Sequence, residues 1–332
     1  NLRPTSKTST MSATDVPSIS SAQLGARARN LHASPTSDVY VATLDGAQVV
    51  VKRTKITTAN DLPRFEKELN LLHACAGHAS VLRVLGVVRS APTYALVLPL
   101  YSRGALFALL HASGRRLAPA AVAALAGDVA AAIAHLHACG VLHRDVKTDN
   151  VLVDERGACV LADFNAAELE TAINTGIVAP VGRPSGGFFK QFVVGTLPYM
   201  APELLRSTGG GSAAYVRACD VYSLGILTCE VSAQAVPYAD ALKEKVKLQT
   251  ILEARYNHDE LTAAIVSDGL RPNLPTAAPP PLLALIEACW ADAAAARPSA
   301  ADAVAALAAL AGDAAALPRQ IFDDANGDGG GV

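Results

Sequence analysis

The feature that most constrains this chain is a polar run near its middle, residues 143–150, with the sequence HRDVKTDN. Asp145 and Asn150 are close enough in sequence for one short loop to present both side chains to the same reaction. A carboxylate there can accept a proton from an attacking hydroxyl, and an amide oxygen can hold a metal ion. Asp163 and, further on, the run Ala201-Pro202-Glu203 follow in an order that chance does not readily produce.

This order resembles that of the eukaryotic protein kinases. Asp163-Phe164-Asn165 falls where the family has Asp-Phe-Gly, and Ala201-Pro202-Glu203 falls at the end of the activation segment. The resemblance implies an α+β, bilobal protein kinase fold, with a small β-rich N-lobe carrying one key helix and a larger, mostly helical C-lobe. It also implies that ATP and Mg²⁺ are the cofactors and that the γ-phosphoryl group passes to protein hydroxyls.

Hydrophobic patterning supports a division of the chain into four parts. The predicted boundaries are 1–21 for a disordered lead-in, 22–101 for the N-lobe, 102–314 for the hinge end and the C-lobe, and 315–332 for a flexible acidic Gly-rich tail. Strands are predicted over residues 39–44, 48–52, 81–88 and 94–98. Helices are predicted over residues 61–74, 119–139, 221–231, 282–290 and 300–311.

Composition limits the class of partner and the compartment. The 332 residues carry a net charge of −2, so no nucleic-acid partner is implied. No signal-peptide pattern and no uninterrupted apolar run of about 20 residues is visible, so no membrane partner is expected either. The six Cys form no C-x-x-C pair, and most of them lie in apolar runs. This indicates reduced, buried thiols and a cytoplasmic location, with the nucleus as an alternative.

The tail contains a pattern with two interpretations. Residues 324–329 match the first half of an EF-hand calcium loop, but the chain printed here stops before the Glu that would close it. An acidic Gly-rich linker is the simpler interpretation, and calcium binding is the alternative.

The resemblance implies a phosphate-binding lysine in the N-lobe. Lys52 ends the run Val49-Val50-Val51 and corresponds to the lysine that holds the α- and β-phosphates. Glu68, on the predicted helix over 61–74, lies where the family places the carboxylate that orients this lysine. Glu66 is a competing partner, although it falls on a different helix face from Phe65.

The resemblance also assigns roles to the central loop. Asp145 would be the base that orients the substrate hydroxyl, and Lys147 is the residue that serine/threonine kinases carry beside it. Asn150 and Asp163 would hold the metal ions, while His143 is expected to be a packed structural residue.

An adenine pocket follows from the same alignment. Leu98 falls at the gatekeeper position, and Pro99 and Tyr101 belong to the hinge segment. Pro99 lacks an N–H, but only its carbonyl is needed there. The apolar residues expected around the base are Leu31, Val39 and Leu152, for each of which core packing is an equally good explanation.

Activation and substrate docking are expected between Asp163 and Glu203. Thr196 belongs to the docking element next to Asp145, whereas a phosphate on a residue of the variable centre could reach Arg144. The candidates for that phosphate are Thr171, Thr175 and Ser185, with the acids Glu168 and Glu170 as alternative sources of charge.

Three further residues have structural roles in the resemblance. Glu203 would pair with Arg297, and Asp220 would support the backbone of the central loop. The Cys289-Trp290 and Arg297-Pro298 pairs resemble those of the tyrosine-kinase-like group, whose members mostly phosphorylate Ser and Thr.

Two departures favour an alternative function. The three glycines of the usual phosphate loop fall on His32, Ser34 and Ser37, so side chains restrict a close backbone approach. Asn165 replaces the last residue of Asp-Phe-Gly, a change that Asn would tolerate if φ were positive there. Together they make a pseudokinase, acting as a scaffold or regulator with weak ATP binding, the alternative to an active serine/threonine kinase.

A narrower resemblance spans roughly residues 31–310. The runs Thr43-Leu44-Asp45-Gly46, residues 184–190 and residues 261–266 are similar to the kinase half of plant proteins that join a kinase to a type 2C protein phosphatase. No phosphatase motif is visible here. The resemblance therefore implies one of two alternatives: a fragment whose longer parent protein carries a type 2C phosphatase domain as a partner, or a relative that has the kinase alone.

Overall fold

The structure is a computed structural model that describes residues 15–112, 117–174, 196–206, 216–239 and 258–312. The chain divides into two compact units, one reaching Gly77 and including Leu82–Leu100, the other comprising His78–Val81 and the residues from Tyr101 onward. The first unit is built on a sheet and the second mainly on helices, which confirms the predicted α+β class.

A five-stranded antiparallel sheet forms the first unit, in the order β1-β2-β3-β5-β4. The strands are β1 Arg29–Ala33, β2 Ser37–Leu44, β3 Ala47–Thr54, β4 Gly86–Ser90 and β5 Thr93–Pro99. The β2–β3 hairpin turns at Asp45-Gly46, where both residues have positive φ, 49° and 81°, as a tight two-residue turn requires. Apolar residues of β3 and β5, such as Val51 and Val97, are fully buried in the core.

The residues before β1 belong to this core. Ile19 packs into the apolar cluster with Val97, and its N–H donates to the carbonyl of Val87 at 2.9 Å. Val87 in turn donates to the carbonyl of Pro17 at 2.9 Å, and Val16 is buried. The disordered lead-in predicted to residue 21 is therefore wrong for its last residues, because Ile19 packs into the core of the sheet and Val16 is buried as well. Residues 1–14 lie outside the described part.

Helix α1, Asp61–Ala74, has the predicted bounds. Its apolar face buries Phe65, Leu69 and Leu72. The Asp61 carboxylate accepts the N–H groups of Thr57 and Thr58 at 2.8 and 2.6 Å, which satisfies donors ahead of the helix and lowers the pKa of Asp61 to about 2.

Helices dominate the second unit. They are α2 Leu106–Ala112, α3 Pro119–Ala138, α4 Glu170–Asn174, α5 Pro202–Arg206, α6 Arg217–Ala233, α7 His258–Ser267, α8 Pro280–Cys289 and α9 Ala300–Ala311. Helix α3 packs against both α6 and α9. In length and composition α3 alone among the described helices could cross a membrane, but buried core helices satisfy the same criteria, and over half of it is buried in this unit.

Short strands anchor the loops of the second unit. They are β6 Gly104–Ala105, β7 Val141–Leu142, β8 Val151–Val153, β9 Cys159–Leu161 and β10 Glu168–Leu169. β6, β8 and β9 form one antiparallel sheet, and β7 pairs with β10. The polar run at 143–150 therefore lies between two strands, β7 and β8, that fix both of its ends.

Helix α6 is almost entirely buried. A Cβ at Gly225 would lie 2.8 Å from Cys289 Cβ and 3.2 Å from the backbone nitrogen of Trp290. These contacts are closer than packed atoms tolerate, so α6 and α8 can meet only because residue 225 is glycine.

Five of the six cysteines are buried. Burial raises the pKa of Cys229 and of Cys289 to about 12, which keeps these thiols protonated and unreactive. This agrees with the prediction of buried thiols, and their reduced state stays a prediction. The tail at 315–332, with the alternative calcium segment, lies outside the described residues.

Candidate active site

Asp220, in the first turn of α6, holds the backbone of the central loop. Its carboxylate accepts the N–H of His143 at 3.0 Å and the N–H of Arg144 at 2.9 Å. Complete burial would raise the pKa of Asp220, but the hydrogen bond and charge interaction with His137 at 2.9 Å, the charge interaction with His143 and the N–H of Arg144 lower it below its usual range. The carboxylate thus fixes Arg144, whose φ of 70° is costly for a residue with a side chain.

Three polar side chains, those of Lys147, Thr196 and Asn150, converge on Asp145. Lys147 Nζ lies 2.9 Å from Asp145 Oδ2 and donates to Thr196 Oγ1 at 2.7 Å. Thr196 Oγ1 donates to Asp145 Oδ1 at 3.2 Å, and Asn150 Nδ2 donates to Asp145 Oδ2 at 2.8 Å. The sequence predicted all four as site residues, and the structure brings them together. Both carboxylate oxygens are oriented by neighbours, as a group that must meet one particular hydroxyl requires.

Asp163 and Asn165 have a different geometry from the one expected. The positive φ, 61°, belongs to Asp163, whereas Asn165 is not among the described residues with positive φ. The Asn165 side chain instead donates from Nδ2 to Asp163 Oδ1 at 2.7 Å. The interpretation that Asn replaces Gly by tolerating a left-handed conformation is therefore wrong, because the side chain acts on the carboxylate directly.

His143 is a packed residue, as expected. It is fully buried, its Nε2 lies 3.0 Å from the carbonyl oxygen of Ala162, and its ring meets Phe164 edge to face at 5.3 Å. The ring thereby links the central loop to the start of the Asp163-Phe164-Asn165 turn.

Asn150 and Asp163 supply oxygen atoms that suit Mg²⁺. Because Asn150 Nδ2 donates to Asp145, its amide oxygen is the atom that can coordinate. Among the described residues no group of three or more His, Cys, Asp and Glu could hold a metal ion. Proteins usually hold Mg²⁺ through one or two side chains together with phosphates and waters.

In the first unit Lys52 pairs with Glu68. Lys52 Nζ lies 2.6 Å from Glu68 Oε1, and both side chains are largely buried, 13% and 5% exposed. The competing residue Glu66 instead binds Arg89 through two hydrogen bonds of 3.0 Å near the surface. Glu68, and not Glu66, is thus the partner of Lys52, as predicted. The role of Lys52 in phosphate binding stays a prediction.

The residues expected around adenine are distributed over both units. In the first unit a bulge between Asn30 and His32 leaves Leu31 out of the strand register and 45% exposed, while Val39 pairs with Lys52. Leu98 is buried, and Pro99 ends β5 beside Val49. In the second unit Tyr101 and Leu152 are both half-buried. Their contact with a base stays a prediction.

Glu203 and Arg297 form the expected pair. The guanidinium donates to both carboxylate oxygens, at 2.7 and 2.8 Å, and the Arg297 side chain is fully buried. Burial would raise the pKa of Glu203, but Arg297 lowers it below its usual range. Arg297 also lies over the ring of Tyr222, so one residue connects α5, α6 and the loop before α9.

A buried network around Glu230 was not predicted from the sequence. Glu230 Oε2 accepts from Tyr199 Oη at 2.6 Å and from Thr148 Oγ1 at 2.9 Å, and its Oε1 lies 3.0 Å from His111 Nε2. The network joins the central loop to the segment that carries Thr196. The sequence did contain one signal of this network, the acid Glu230 within the apolar run of α6, because a buried carboxylate needs hydrogen-bond partners.

Of the three candidate phosphate acceptors, only Thr171 is described. It is exposed on α4, whereas Thr175 and Ser185 lie outside the described residues. Glu170 is bound to Arg217 at 2.7–3.1 Å, so this carboxylate has a partner of its own. Glu170 is therefore a weaker candidate for supplying Arg144 with negative charge in place of a phosphate.

A family model and several individual proteins are similar in sequence to this chain. A family model described as "Protein kinase domain" matches residues 35–307. A "Protein kinase and PP2C-like domain-containing protein" of Arabidopsis thaliana is 38% identical over 270 residues, covering 79% of this chain and 40% of the relative. A protein of the same description from Oryza sativa subsp. japonica is 36% identical over 264 residues, 76% of this chain and 39% of the relative.

More distant matches carry different descriptions. The "Serine/threonine-protein kinase STY17" of Arabidopsis thaliana is 26% identical over 267 residues, 80% of this chain and 41% of the relative. The chain therefore spans about two fifths of the length of each of these relatives. The expected similarity to the kinase part of plant kinase–phosphatase proteins is confirmed.

Proposed function

The chain belongs to the protein kinase family, and on that premise we propose that it is an active enzyme that transfers the γ-phosphoryl group of ATP to Ser and Thr hydroxyls of proteins. The observation that carries the proposal is the cluster of Lys147, Thr196 and Asn150 around Asp145, with contacts of 2.7–3.2 Å. Lys147 in this position is typical of serine/threonine kinases, and the relatives described as serine/threonine kinases support the same specificity.

In the proposed mechanism Asp145 orients the substrate hydroxyl and takes its proton late in the transfer. Lys147, 2.9 Å from that carboxylate, would neutralise charge near the transferring group, and Thr196 would present the acceptor segment beside it. Positioning of this kind supplies most of the rate in phosphoryl transfer, because little covalent chemistry is left to the protein.

Each unit has residues that suit one ligand, the first unit for the nucleotide phosphates and the second for Mg²⁺. Lys52, oriented by Glu68, would bind the α- and β-phosphates. Asn150 and Asp163 would hold Mg²⁺, and a bound Mg²⁺ would neutralise charge on the phosphates. Asn165 would keep Asp163 Oδ1 in one orientation through its 2.7 Å hydrogen bond.

A second function is favoured by one observation. The loop at residues 34–37, which corresponds to the usual glycine-rich loop, contains no glycine and binds its own backbone amides. A pseudokinase that scaffolds or regulates a partner would tolerate such a loop better than an enzyme would. In either case a type 2C phosphatase domain in a longer parent protein is the partner we propose, given the descriptions of the plant relatives.

Peptide phosphorylation tests the proposal. The purified chain is incubated with Mg-ATP and a peptide mixture carrying Ser, Thr or Tyr acceptors in otherwise matched positions, and products are identified by mass spectrometry. We expect phosphoserine and phosphothreonine, with Asp145→Ala as the control that loses both. ATP binding without transfer supports the scaffold instead, and phosphotyrosine as the main product contradicts the assigned specificity.

A further inference from the structure

The loop between β1 and β2 satisfies its own backbone. Ser34 Oγ accepts the N–H of Thr36 at 3.3 Å and the N–H of Ser37 at 3.0 Å. The N–H of Ser34 donates across the turn to the carbonyl of Ser37 at 2.8 Å. Pro35 has no N–H to offer. Among the three residues after Ser34, the backbone N–H groups of Thr36 and Ser37 are therefore already bound by a side chain, and Pro35 has no N–H.

The end of β3 holds the loop in this conformation. The N–H of Lys55 donates to the carbonyl of Thr36 at 2.9 Å, and Lys55 Nζ donates to the carbonyl of Ser34 at 2.7 Å. Lys55 Nζ also lies 2.9 Å from Asp38 Oδ1, and Asp38 is buried. One lysine thus binds both loop carbonyls and the first residues of β2, so the loop is braced from the neighbouring strand.

The braced loop lies next to the phosphate-binding lysine of the proposed function. Strand register pairs Val39 with Lys52 and Ser37 with Thr54, which places the loop at the end of the same hairpin. In protein kinases this loop covers the phosphates, and backbone N–H groups are the natural donors to phosphate oxygens. A phosphate oxygen could bind Thr36 or Ser37 here only by replacing the Ser34 hydroxyl.

We propose that Ser34 is an affinity-determining residue, whose hydroxyl competes with nucleotide phosphates for the amides of Thr36 and Ser37. The inference rests on the proposed function, because it takes ATP as the ligand. It predicts weak binding of nucleotide polyphosphates and ordinary binding of the nucleoside, since the hydroxyl opposes only the phosphates.

Calorimetric titration of the purified chain with Mg-ATP and, separately, with adenosine tests the inference. Ser34→Ala removes the competing hydroxyl, so the affinity for Mg-ATP should rise about three- to tenfold, the range expected for one or two released hydrogen bonds. Affinity for adenosine should change less than about twofold. Ser34→Thr, which keeps an acceptor oxygen, should behave like the unaltered protein.

Ser90→Ala is the matched control. It removes an exposed serine hydroxyl of the same sheet, at the end of β4 and outside the β1–β2 loop, so Mg-ATP affinity should stay the same. If Ser34→Ala does not fold, as judged by its melting curve, Pro35→Ala takes its place. This change supplies the missing N–H and should raise Mg-ATP affinity about threefold.

Three outcomes overturn the inference: no gain in Mg-ATP affinity, an equal gain for adenosine, or no Mg-ATP binding by any variant. Failure of the proposed function is separate and gives a different result. In that case Ser34→Ala binds Mg-ATP more tightly, yet neither it nor the unaltered protein transfers phosphate to peptides.

Discussion

The loop at residues 143–150 in the second unit and the loop at residues 34–37 in the first unit both carry polar groups to which we assign a role, but their backbone N–H groups are bound in opposite ways. In the central loop the N–H groups of His143 and Arg144 donate to Asp220, which belongs to a buried helix outside the loop. In the β1–β2 loop two amides are bound by Ser34, a residue of the loop itself.

The difference has a functional consequence. A loop held by a distant residue can keep its side chains directed at a substrate, and Asp145 does lie within a cluster of oriented partners. A loop that binds its own amides gives up the donors that a phosphate would need. We therefore expect a protein in which the groups for chemistry are well positioned and those for phosphate binding are weakened.

The largest effect is expected at Asp145. Asp145→Ala should lower turnover by about 10²–10⁴ because it removes the group that orients and deprotonates the hydroxyl. Nucleotide affinity should change little, since ATP contacts are assigned elsewhere. Peptide phosphorylation at saturating Mg-ATP, together with calorimetry, measures both quantities.

Asp149→Ala is the matched control for that change. Asp149 is an acid on the same loop, but it is exposed and makes no contact with the cluster among the described hydrogen bonds. Its replacement should leave turnover within about threefold. Equal losses in the two variants would show that the loop is merely sensitive to charge, and the role of Asp145 would have to be withdrawn.

The next effect concerns support of the central loop by Asp220. Asp220→Ala should lower the free energy of unfolding by about 2–5 kcal/mol, because two buried backbone N–H groups lose their acceptor. Chemical denaturation measures the change. Asp292→Ala, which removes a carboxylate that is 60% exposed in its ion pair with Arg206, should cost less than about 1 kcal/mol. A loss at Asp220 no larger than that at Asp292 would mean that the loop does not depend on α6.

The smallest effect is expected at Asn165. Asn165→Ala removes the 2.7 Å hydrogen bond to Asp163 Oδ1, so the Mg²⁺ concentration at half-maximal activity should rise about three- to tenfold. Asn165→Gly should show a similar rise, although Gly is the residue usual in the family. Activity equal to or above that of the unaltered protein in Asn165→Gly would favour backbone flexibility over the hydrogen bond.

Much of the fold could be predicted from local patterns. Helix α1 has its predicted bounds because a regular apolar stripe, with Phe65 and Leu69, defines one buried face. Helix α3 begins at Pro119 and ends just before Gly140, residues that mark helix ends by their own conformational limits. The segment at 15–21 was not predictable in this way, because its few apolar side chains gain burial only from the sheet.

The residues of the candidate site also fall into those that local sequence patterns could predict and those that they could not. Residues fixed by motif spacing, such as Asp145 and Lys147, were identified in advance and lie together. The partners of Glu230 and the hydrogen bond from Asn165 depend on how distant segments meet, so no local pattern contained them. The Ser34 interaction is local, yet it could not be read from composition, because Ser at that position is equally able to face solvent.

Steady-state kinetics over a wide range of Mg-ATP concentrations is the most direct test of this account. We expect turnover in the ordinary kinase range of about 1–100 s⁻¹ at saturating Mg-ATP. We also expect a KM for ATP at or above about 1 mM, which is the upper end of the usual range of KM values for enzymes. A KM near the micromolar range would contradict the weakened phosphate loop, and the absence of turnover at saturating Mg-ATP would contradict the intact catalytic cluster.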